Sequence, residues 1–388
     1  MTAVAPNLKR ARAITAGVLV VMLLTGLSGD SAAAPGASPG VDDADPFFAT
    51  WQTLGRADGL PDDKVFAVAV ADDTVWAGTE KGLAALRDGR VETWSTADGL
   101  PFDVVTALDV DSQTGDLWIG TMGGLARLSA GRVDAFTQLD SGLANDVIYG
   151  VAAADGVVWV VTAAGLNQYD PRTDAWQIYD TTNTLMHEPW CYGVTVAGTT
   201  VYVAVWGGGV LVHDTVTGSF REHRDPDGEM EVDLFVDDGL VHDVTSAVGY
   251  ASDLLWVGTY FGLSRYDGRR WRSFAEEDSG LVSNFINTVR AVDDGVWIGT
   301  DKGLNYFDST TWWTWRRGES DGAFEFEVRG ADGVPQLRRA STGLPDNTVL
   351  GIAIDGGDLW VATAAGLAHA SALPGVARTS SRQQGDGS

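Results

Sequence analysis

Short apolar segments alternate with turn residues along most of the chain, and their order repeats. Each unit opens with a Gly-Leu turn, followed by an apolar segment such as VFAVAV or VTALDV. A second segment ends in Trp-x-Gly-Thr, a third resembles GLSRYD, and an aromatic fourth resembles DAWQIY. Segments of this kind, bounded by turn residues, predict four short β-strands per unit. Beyond the N-terminal residues, no segment shows helical periodicity.

The unit occurs seven times. The Gly-Leu turn is recognisable as DGLPDDKV, DGLPFDVV, SGLANDVI, DGLVHDVT, SGLVSNFI and TGLPDNTV, with glycines Gly59, Gly99, Gly142, Gly239, Gly280 and Gly343. The third and fourth of these glycines are 97 residues apart, against 40 for the first pair, so a degraded copy lies between them. The words IYGV and CYGV align and place that copy at Leu185–Val194. Four strands in roughly 42 residues are typical of a propeller blade.

The ends of the repeat region predict a closed ring. The seventh copy stops after its third strand, while an unassigned strand, Phe48–Ala57, precedes the first copy. Pairing the two would complete the last blade and remove free sheet edges. We therefore predict an all-β fold, a single seven-bladed β-propeller over residues 47–373, closed by its N-terminal strand.

The phrases DGLPDDKV and LWIGTMGGL closely resemble the two-component regulator propeller repeat, and the resemblance covers residues 48 to about 373. In that family, seven repeats commonly form one blade set, and two sets form the extracytoplasmic sensor of hybrid histidine kinases. The resemblance implies a sensor-type propeller and a binding role. We recognise no second blade set and no kinase module in these residues, so we expect binding rather than signalling by the chain alone.

The shared residues of the copies have structural explanations. The indoles of the second strand are expected to fill the wedges between blades. They are Trp76, Trp118, Trp159, Trp256, Trp297 and Trp360, with Tyr202 in the fourth copy. The Thr of Trp-x-Gly-Thr is expected to bond to the turn that it begins, and the Asp or Asn after each Gly-Leu to form a side-chain turn. Cys191, at a position of Val or Ile in other copies, is expected to be a small buried hydrophobe.

The variable residues indicate where a ligand binds. The Gly-Leu turns and the turns between second and third strands are expected on one face of the disc. Copies four and five gather aromatic, histidine and acidic residues there, and these are our candidate ligand-binding residues. They are Trp190, Trp206, Tyr260, Phe261, His187, Glu188, His242 and Asp243. We expect the rings to stack on the ligand and the polar groups to hydrogen-bond it, which suits a glycan, a peptide or an aromatic small molecule. The alternative is that Trp190 and Trp206 fill ordinary core.

Catalytic chemistry has little support in the sequence. His187 and His242, with Glu188 and Asp243, have the chemistry of metal ligands or of acid and base. Their spacing matches no specific motif, and surface histidines are the better interpretation. The sequence carries no Ser-His-Asp order, zinc spacing, phosphate loop or paired-carboxylate motif. We expect no catalytic residues, no bound metal and no cofactor.

Two longer excursions vary between copies, and both are expected to wall a pocket or to decorate the surface. The first, His223–Leu240, extends the exit of the fourth copy, and the second, Arg316–Ser341, extends the sixth. The alternation AFEFEV in the second predicts a hairpin.

Charge and the chain ends restrict the partners. The 388 residues carry a formal net charge of −27, which repels phosphate backbones and anionic membranes, so nucleic acid is not expected. Residues 1–34 have the basic start, apolar run and small residues of an export signal, with an uncleaved anchor as the minority alternative. We expect a disordered leader at 35–46, a disordered tail at 374–388, and no membrane insertion after cleavage.

We therefore predict an exported binding protein, secreted, periplasmic or in the cell envelope, with a glycan or other small molecule as ligand. A membrane signalling protein is a further expected partner. The alternatives are a protein–protein scaffold and a propeller lyase or hydrolase with a metal near the channel mouth.

Overall fold

The computed structural model describes Asp45 and residues 47–226, 237–318, 321–340 and 343–372. The expected export signal and tail, nearly all of the expected leader, and residues 227–236 of the first excursion lie outside these residues. The described part is all-β apart from two one-turn 3₁₀ helices, Arg56–Asp58 and Thr96–Asp98. No helix in this part has the length and apolar character needed to cross a bilayer.

Seven antiparallel sheets form the blades. Blade 1 contains β2 (Val65–Ala71), β3 (Thr74–Thr79), β4 (Gly82–Arg87) and β5 (Arg90–Trp94). Blade 2 contains β6 (Val105–Val110), β7 (Leu117–Thr121), β8 (Gly124–Ser129) and β9 (Arg132–Phe136). Blade 3 contains β10 (Ile148–Ala154), β11 (Val157–Thr162), β12 (Gly165–Asp170) and β13 (Ala175–Tyr179). Blade 4 contains β14 (Cys191–Ala197), β15 (Thr200–Val205), β16 (Gly209–Asp214) and β17 (Phe220–His223).

Blade 5 contains β18 (Thr245–Ala251), β19 (Leu254–Thr259), β20 (Leu263–Tyr266) and β21 (Trp271–Phe274). Blade 6 contains β22 (Ile286–Val292), β23 (Gly295–Thr300), β24 (Leu304–Phe307) and β25 (Trp312–Arg317), extended outward by β26 (Phe324–Arg329) and β27 (Pro335–Ala340). Blade 7 contains β28 (Val349–Asp355), β29 (Asp358–Thr363), β30 (Gly366–Ala372) and the N-terminal β1 (Phe48–Leu54). The innermost strands contact their neighbours around the whole ring, β2 with β28 included. The predicted seven-bladed propeller is confirmed.

The N-terminal strand closes the ring as predicted. β1 pairs antiparallel with β30, from Phe48 opposite Ala372 to Leu54 opposite Leu367. Asp45, which the sequence assigned to the leader, belongs to this closure. Its carboxylate accepts hydrogen bonds from the indoles of Trp315 (2.8 Å) and Trp51 (3.3 Å) and from the backbone N–H of Phe47 (2.8 Å). Burial raises the pKa of Asp45, while these donors act in the opposite direction.

The second excursion forms the predicted hairpin, and it covers the closure. β26 and β27 pair along their length, and Phe324 and Phe326 belong to the core cluster that also contains Phe48 and Trp51. The rings of Trp51 and Phe324 are 5.8 Å apart. The part of the excursion that the structure describes therefore buries the seam between blades 6 and 7.

The shared residues pack between the blades. Trp118, Trp159, Trp256 and Trp297 are 1–3% exposed, whereas Trp76 and Trp360 are partly buried. The glycine two residues after Trp256 shows why this position excludes a side chain. A Cβ on Gly258 would lie 2.6 Å from Ile286 of the next blade, closer than side-chain atoms pack. Cys191 is fully buried, as expected, and burial raises the pKa of its thiol.

The threonine of Trp-x-Gly-Thr bonds across its turn in six copies, as expected. The hydroxyls of Thr79, Thr121, Thr162, Thr259, Thr300 and Thr363 donate to the carbonyl of the third-strand glycine at 2.7–3.0 Å. The fourth copy has Val205 at this position. There, Thr245 of the next blade donates to Gly209 O at 2.7 Å and lies 3.0 Å from Val205 O. The hydroxyl that bonds this turn is thus supplied by Thr245 of blade 5, and Val205 of blade 4 has a methyl group where the other copies have the hydroxyl.

We expect Thr245→Val to lower the free energy of unfolding by about 1–2 kcal/mol, because it leaves the buried Gly209 carbonyl without this donor. The double variant Val205→Thr/Thr245→Val restores the arrangement of the other copies and should recover most of the loss. Urea unfolding of the two single variants and the double variant measures the coupling between the sites. Additive losses would contradict this coupling.

Candidate functional site

Both variable turns lie on one face of the disc. In all seven blades, the first residue of the turn between the second and third strands donates its N–H to the carbonyl of the residue before the innermost strand. The donor–acceptor pairs are Glu80–Lys64, Met122–Val104, Ala163–Val147, Trp206–Trp190, Tyr260–Val244, Asp301–Phe285 and Ala364–Thr348. This repeated bond fixes the two turns of each blade against each other.

A β-bulge occurs at the same place in every innermost strand. The pairing register shifts at its second residue, and a bulge of this kind re-aims one side chain. The bulge residues are Phe66, Thr106, Tyr149, Tyr192, Ser246, Asn287 and Leu350. All seven line the central channel, just inside the face that carries the turns. We call this ring the channel mouth.

The mouth divides into polar and aromatic parts. Thr106, Ser246 and Asn287 donate to the carbonyl of the first innermost-strand residue of the next blade, at 2.6, 2.6 and 3.1 Å. These side chains join neighbouring blades. Tyr149 and Tyr192, in blades 3 and 4, stack on each other with ring centroids 4.5 Å apart. An aromatic surface therefore begins at this side of the channel.

Five rings continue from the mouth across blades 3 to 6. In order they are Tyr149, Tyr192, Trp206, Tyr260 and Phe285, with consecutive centroids 4.5, 5.1, 4.8 and 3.5 Å apart. All five are partly buried, so each keeps some surface in contact with solvent. We call this row the aromatic arc. It includes Trp206 and Tyr260 of the predicted sector and adds Tyr149, Tyr192 and Phe285, which sequence reasoning missed.

The tyrosines of the arc remain protonated in neutral solution. Burial raises the pKa of Tyr260 to about 12 and also raises the pKa of Tyr149 and of Tyr192. Their hydroxyls can therefore both donate and accept hydrogen bonds. Partly exposed rings with neutral hydroxyls suit a ligand that has apolar C–H faces and hydroxyl groups.

The other predicted residues are dispersed around the arc. Phe261 stacks on His242 at 3.9 Å, and His242, which is 6% exposed, accepts a hydrogen bond from Val244 N–H at 2.9 Å. His187 is exposed and lies 3.6 Å from Glu222, and Glu188 is also exposed. Trp190 is partly buried and contributes its carbonyl to the repeated turn bond.

Asp243 is a correction to the predicted ligand-binding set. It is 1% exposed, and its carboxylate accepts from Arg224 Nη2 at 2.6 Å and from Asp225 N–H at 2.8 Å. These bonds fix the loop that connects β17 of blade 4 to β18 of blade 5 at its two ends. A carboxylate that is buried and engaged in this way is not available to a ligand.

The hydrogen bond from the Asp225 backbone N–H to the Asp243 side chain has equivalents that explain why Asp or Asn recurs after each Gly-Leu turn. Six carboxylates or amides accept one backbone N–H from a residue at the end of the preceding fourth strand or within two residues after it. The acceptor–donor pairs are Asp63–Arg56, Asp103–Thr96, Asp146–Gln138, Asp243–Asp225, Asn284–Glu276 and Asn347–Arg317, at 2.7–2.8 Å. The side chains thus fix turns, as expected, but each closes a whole loop between blades. In the fourth copy Pro189 takes this position.

The five histidines are dispersed. Among the described residues, no three His, Cys, Asp or Glu side chains form a group that could hold a metal ion. His213 is 4% exposed and stacks on Phe220, and His369 stacks on Trp360. His223 contacts Trp271, and burial lowers its pKa to about 4.

No model of a protein family matches the chain, and the search of curated proteins likewise found no match. Solved structures do resemble it. One is the extracellular domain assigned to a hybrid two-component system of B. thetaiotaomicron, at a TM-score of 0.61 and 16% identity. The similarity covers 84% of this chain and 42% of that one, so this chain spans less than half of that domain.

Other propellers are similar to a comparable degree. Virginiamycin B lyase from Staphylococcus aureus has a TM-score of 0.59 and 14% identity, covering 84% of this chain and 98% of the lyase. BamB from Moraxella catarrhalis has a TM-score of 0.51 and 17% identity, covering 86% and 99%. At these identities the similarities show the fold alone. They confirm the propeller that the resemblance to two-component sensors implied.

Proposed function

We propose that this chain is an exported, non-catalytic binding protein that holds a glycan or another small ring-bearing ligand at the channel mouth. The observation that carries the proposal is the aromatic arc, because five neighbouring rings on one face remain partly open to solvent. Single exposed rings are common, but contiguous ones mark interaction surfaces. A ligand lying on the arc would stack on Trp206 and Tyr260 and meet the hydroxyls of Tyr149 and Tyr192.

The sensor role follows from the same proposal. A propeller related in fold to the extracellular domain of a two-component system would report its ligand to a membrane signalling protein. The acidic surface, with a net charge of −27, disfavours anionic polymers as general partners. We therefore expect binding to depend on local contacts at the mouth rather than on long-range attraction.

We expect Trp206→Ala and Tyr260→Ala each to weaken glycan binding by about 5- to 150-fold, the range given by 1–3 kcal/mol per stacked ring. A glycan array identifies a binding sugar, and calorimetric titration then measures the affinity of each variant. Trp271→Ala is the matched control, because Trp271 is a partly buried indole at the start of the outer strand of blade 5. Unchanged affinity in both arc variants would remove the arc as the site.

A protein-binding scaffold is the second candidate, and exposed apolar residues on the same face favour it. Phe102, Leu139 and Leu185 are 46%, 96% and 46% exposed, and they lie in the consecutive loops that enter blades 2, 3 and 4. A scaffold predicts no saturable binding of small molecules, so the glycan titration separates the two functions. A lyase or hydrolase would instead consume the sugar that it binds, which product analysis of the same mixtures detects.

A further inference from the structure

The central channel, with its mouth included, encloses a cavity of about 290 Å³ that is lined by all seven innermost strands. This volume is near the lower end of the roughly 300–1,000 Å³ of small-molecule sites. Its walls are built mainly from small or apolar residues, but the surface that they expose to the cavity is mostly polar and includes the hydroxyl groups of residues such as Thr195 and Thr288. The cavity has room for part of a small ligand whose remainder lies on the aromatic arc.

Among the described residues that line this cavity, Arg290 alone carries a formal charge. It lies on β22, three residues after Asn287 of the mouth, which is about 10 Å farther along an extended strand. Its side chain is exposed, and its guanidinium group forms no hydrogen bond or ion pair with the described residues. Elsewhere in the chain, arginines such as Arg224 and Arg127 pair with carboxylates. Arg290 is therefore a cation available within the channel.

The positive charge of Arg290 acts on one buried carboxylate, that of Asp109. Asp109, on β6, accepts a hydrogen bond from Ala153 N–H at 2.7 Å, across the interface between blades 2 and 3. Burial raises the pKa of Asp109 to about 6, and the positive charge of Arg290 acts in the opposite direction, as does the Ala153 bond. Asp111 is the further charged group that acts on Asp109. The cavity is thus lined by a guanidinium group without a hydrogen-bonded partner among the described residues, while the Asp109 carboxylate is held by Ala153 outside the lining residues.

We propose that Arg290 binds a carboxylate group of the ligand inside the channel, while the ring of the ligand lies on the aromatic arc. The planar guanidinium fork matches a carboxylate with two parallel hydrogen bonds, whereas a lysine offers only a point charge. The inference rests on the proposed binding function, and it narrows the ligand to a small ring-bearing carboxylate. An amine is disfavoured, because its charge would meet Arg290.

The test compares probes that share a ring and differ in whether they carry a carboxylate or a neutral group. Phenylacetate is paired with neutral phenylacetamide, and glucuronate with glucose, each titrated calorimetrically into the protein. We expect each carboxylate to bind about 10- to 100-fold more tightly than its neutral partner, the usual contribution of hydrogen bonds to a charged group. Arg290→Gln should abolish this preference, and Arg290→Lys should keep only part of it. Inorganic phosphate and sulfate test whether any oxyanion suffices, and binding as tight as that of the carboxylates would overturn carboxylate recognition.

The outcomes also separate this inference from the proposed function. Trp206→Ala should weaken the charged and neutral probes by the same factor, whereas Arg290→Gln should affect the charged probes alone. If Arg290→Gln abolishes the preference for charged probes while Trp206→Ala changes no affinity, the arc is rejected as the binding site of the ring. The role of Arg290 in carboxylate binding is then retained. Equal affinity for the charged and neutral probes, or no carboxylate binding up to about 10 mM, overturns the inference.

Asp109→Asn supplies an independent readout. Removing the negative charge of Asp109, which interacts with the charge of Arg290, should tighten carboxylate binding several-fold at pH 7.5, with neutral probes unaffected. The wild type should approach the affinity of this variant as the pH falls below the Asp109 pKa of about 6. Weaker carboxylate binding by Asp109→Asn would contradict the placement of the anion beside Arg290.

Discussion

Replacing Trp315 with alanine is expected to lower the free energy of unfolding by about 3–5 kcal/mol, the range for large aromatic residues removed from a core. Trp315 is fully buried, and its ring lies 5.5 Å from Phe47 and 5.4 Å from Trp297. Its indole N–H also donates to Asp45 at 2.8 Å. The substitution therefore opens a cavity under the N-terminal strand and leaves the Asp45 carboxylate without one of its donors. Equilibrium unfolding in urea measures the loss.

Two further variants separate packing from hydrogen bonding at this position. Trp315→Phe keeps most of the ring but loses the charged hydrogen bond, so we expect a loss of about 1.5–3 kcal/mol. Trp94→Ala removes a partly buried indole from the outer strand of blade 1 and should cost less than Trp315→Ala. Hydrogen exchange should show β1 losing protection first in Trp315→Ala. Wild-type protection of β1 in that variant would show that Trp315 does not support the closure.

Asp109→Asn is expected to raise the free energy of unfolding at pH 8 by up to about 3 kcal/mol, the equivalent of a two-unit pKa shift. The carboxyl pKa is raised from 3.8 to about 6, mainly by burial, so the folded state binds the proton more tightly than the unfolded chain. The stability contributed by this proton is complete below pH 3.8 and is lost as the pH rises through about 6. Asparagine removes the buried charge and retains an oxygen for Ala153 N–H.

The pH profile is the decisive measurement for this prediction. The stability difference between Asp109→Asn and wild type should be largest at pH 8 and should fade towards pH 4. Asp88→Asn is the control, because Asp88 is an exposed turn residue with a φ of 50°, a conformation that asparagine also tolerates. A gain that is independent of pH, or equal in the control, would show that the Asp109 charge does not destabilise the fold.

These two predictions concern two carboxylates, Asp45 and Asp109, whose pKa values are both raised by burial but whose donors differ. Asp45 is surrounded by N–H donors from the N-terminal segment and blade 6, so it holds the ring closed. Asp109 has fewer donors, and the charge of Arg290 offsets only part of the effect of its burial. Perturbed acids of the second kind are more common at binding sites than in purely structural positions.

The repeated residues made most of the fold predictable. Trp118, Gly258 and Thr79 recur in equivalent positions because each blade must fill a wedge, approach its neighbour closely and close a tight turn. Because every blade has the same packing requirements, the same residue types recur at a fixed interval. This recurrence is visible in a single sequence without any structure. The unpaired N-terminal segment and the incomplete seventh copy likewise predicted the closure that β1 and β30 form.

The candidate site was predicted only in part. Trp206 and Tyr260 were recognised because aromatic residues are unexpected in short turns, and the structure places their rings 4.8 Å apart. The sequence identifies Tyr149 and Tyr192 only as aligned residues of two copies, because a residue in an apolar strand gives no sign that a bulge directs it into a channel. Asp243 has the same residue type as an exposed ligand-binding acid, and only its contact with Arg224 assigns it to the fold.

The sequence by itself determined the number of blades, their strand order and the closure of the ring, because these depend on local patterns that recur at a fixed interval. The tertiary structure alone decided which side chains meet at the channel, since that depends on seven strands from distant parts of the chain. It placed Arg290 of blade 6 in the channel, where its charge acts on Asp109 of blade 2. It also located the hydroxyl that bonds Gly209 on Thr245 of blade 5. These positions depend on the closure of the ring, so no single segment of the chain predicts which side chains meet at the channel.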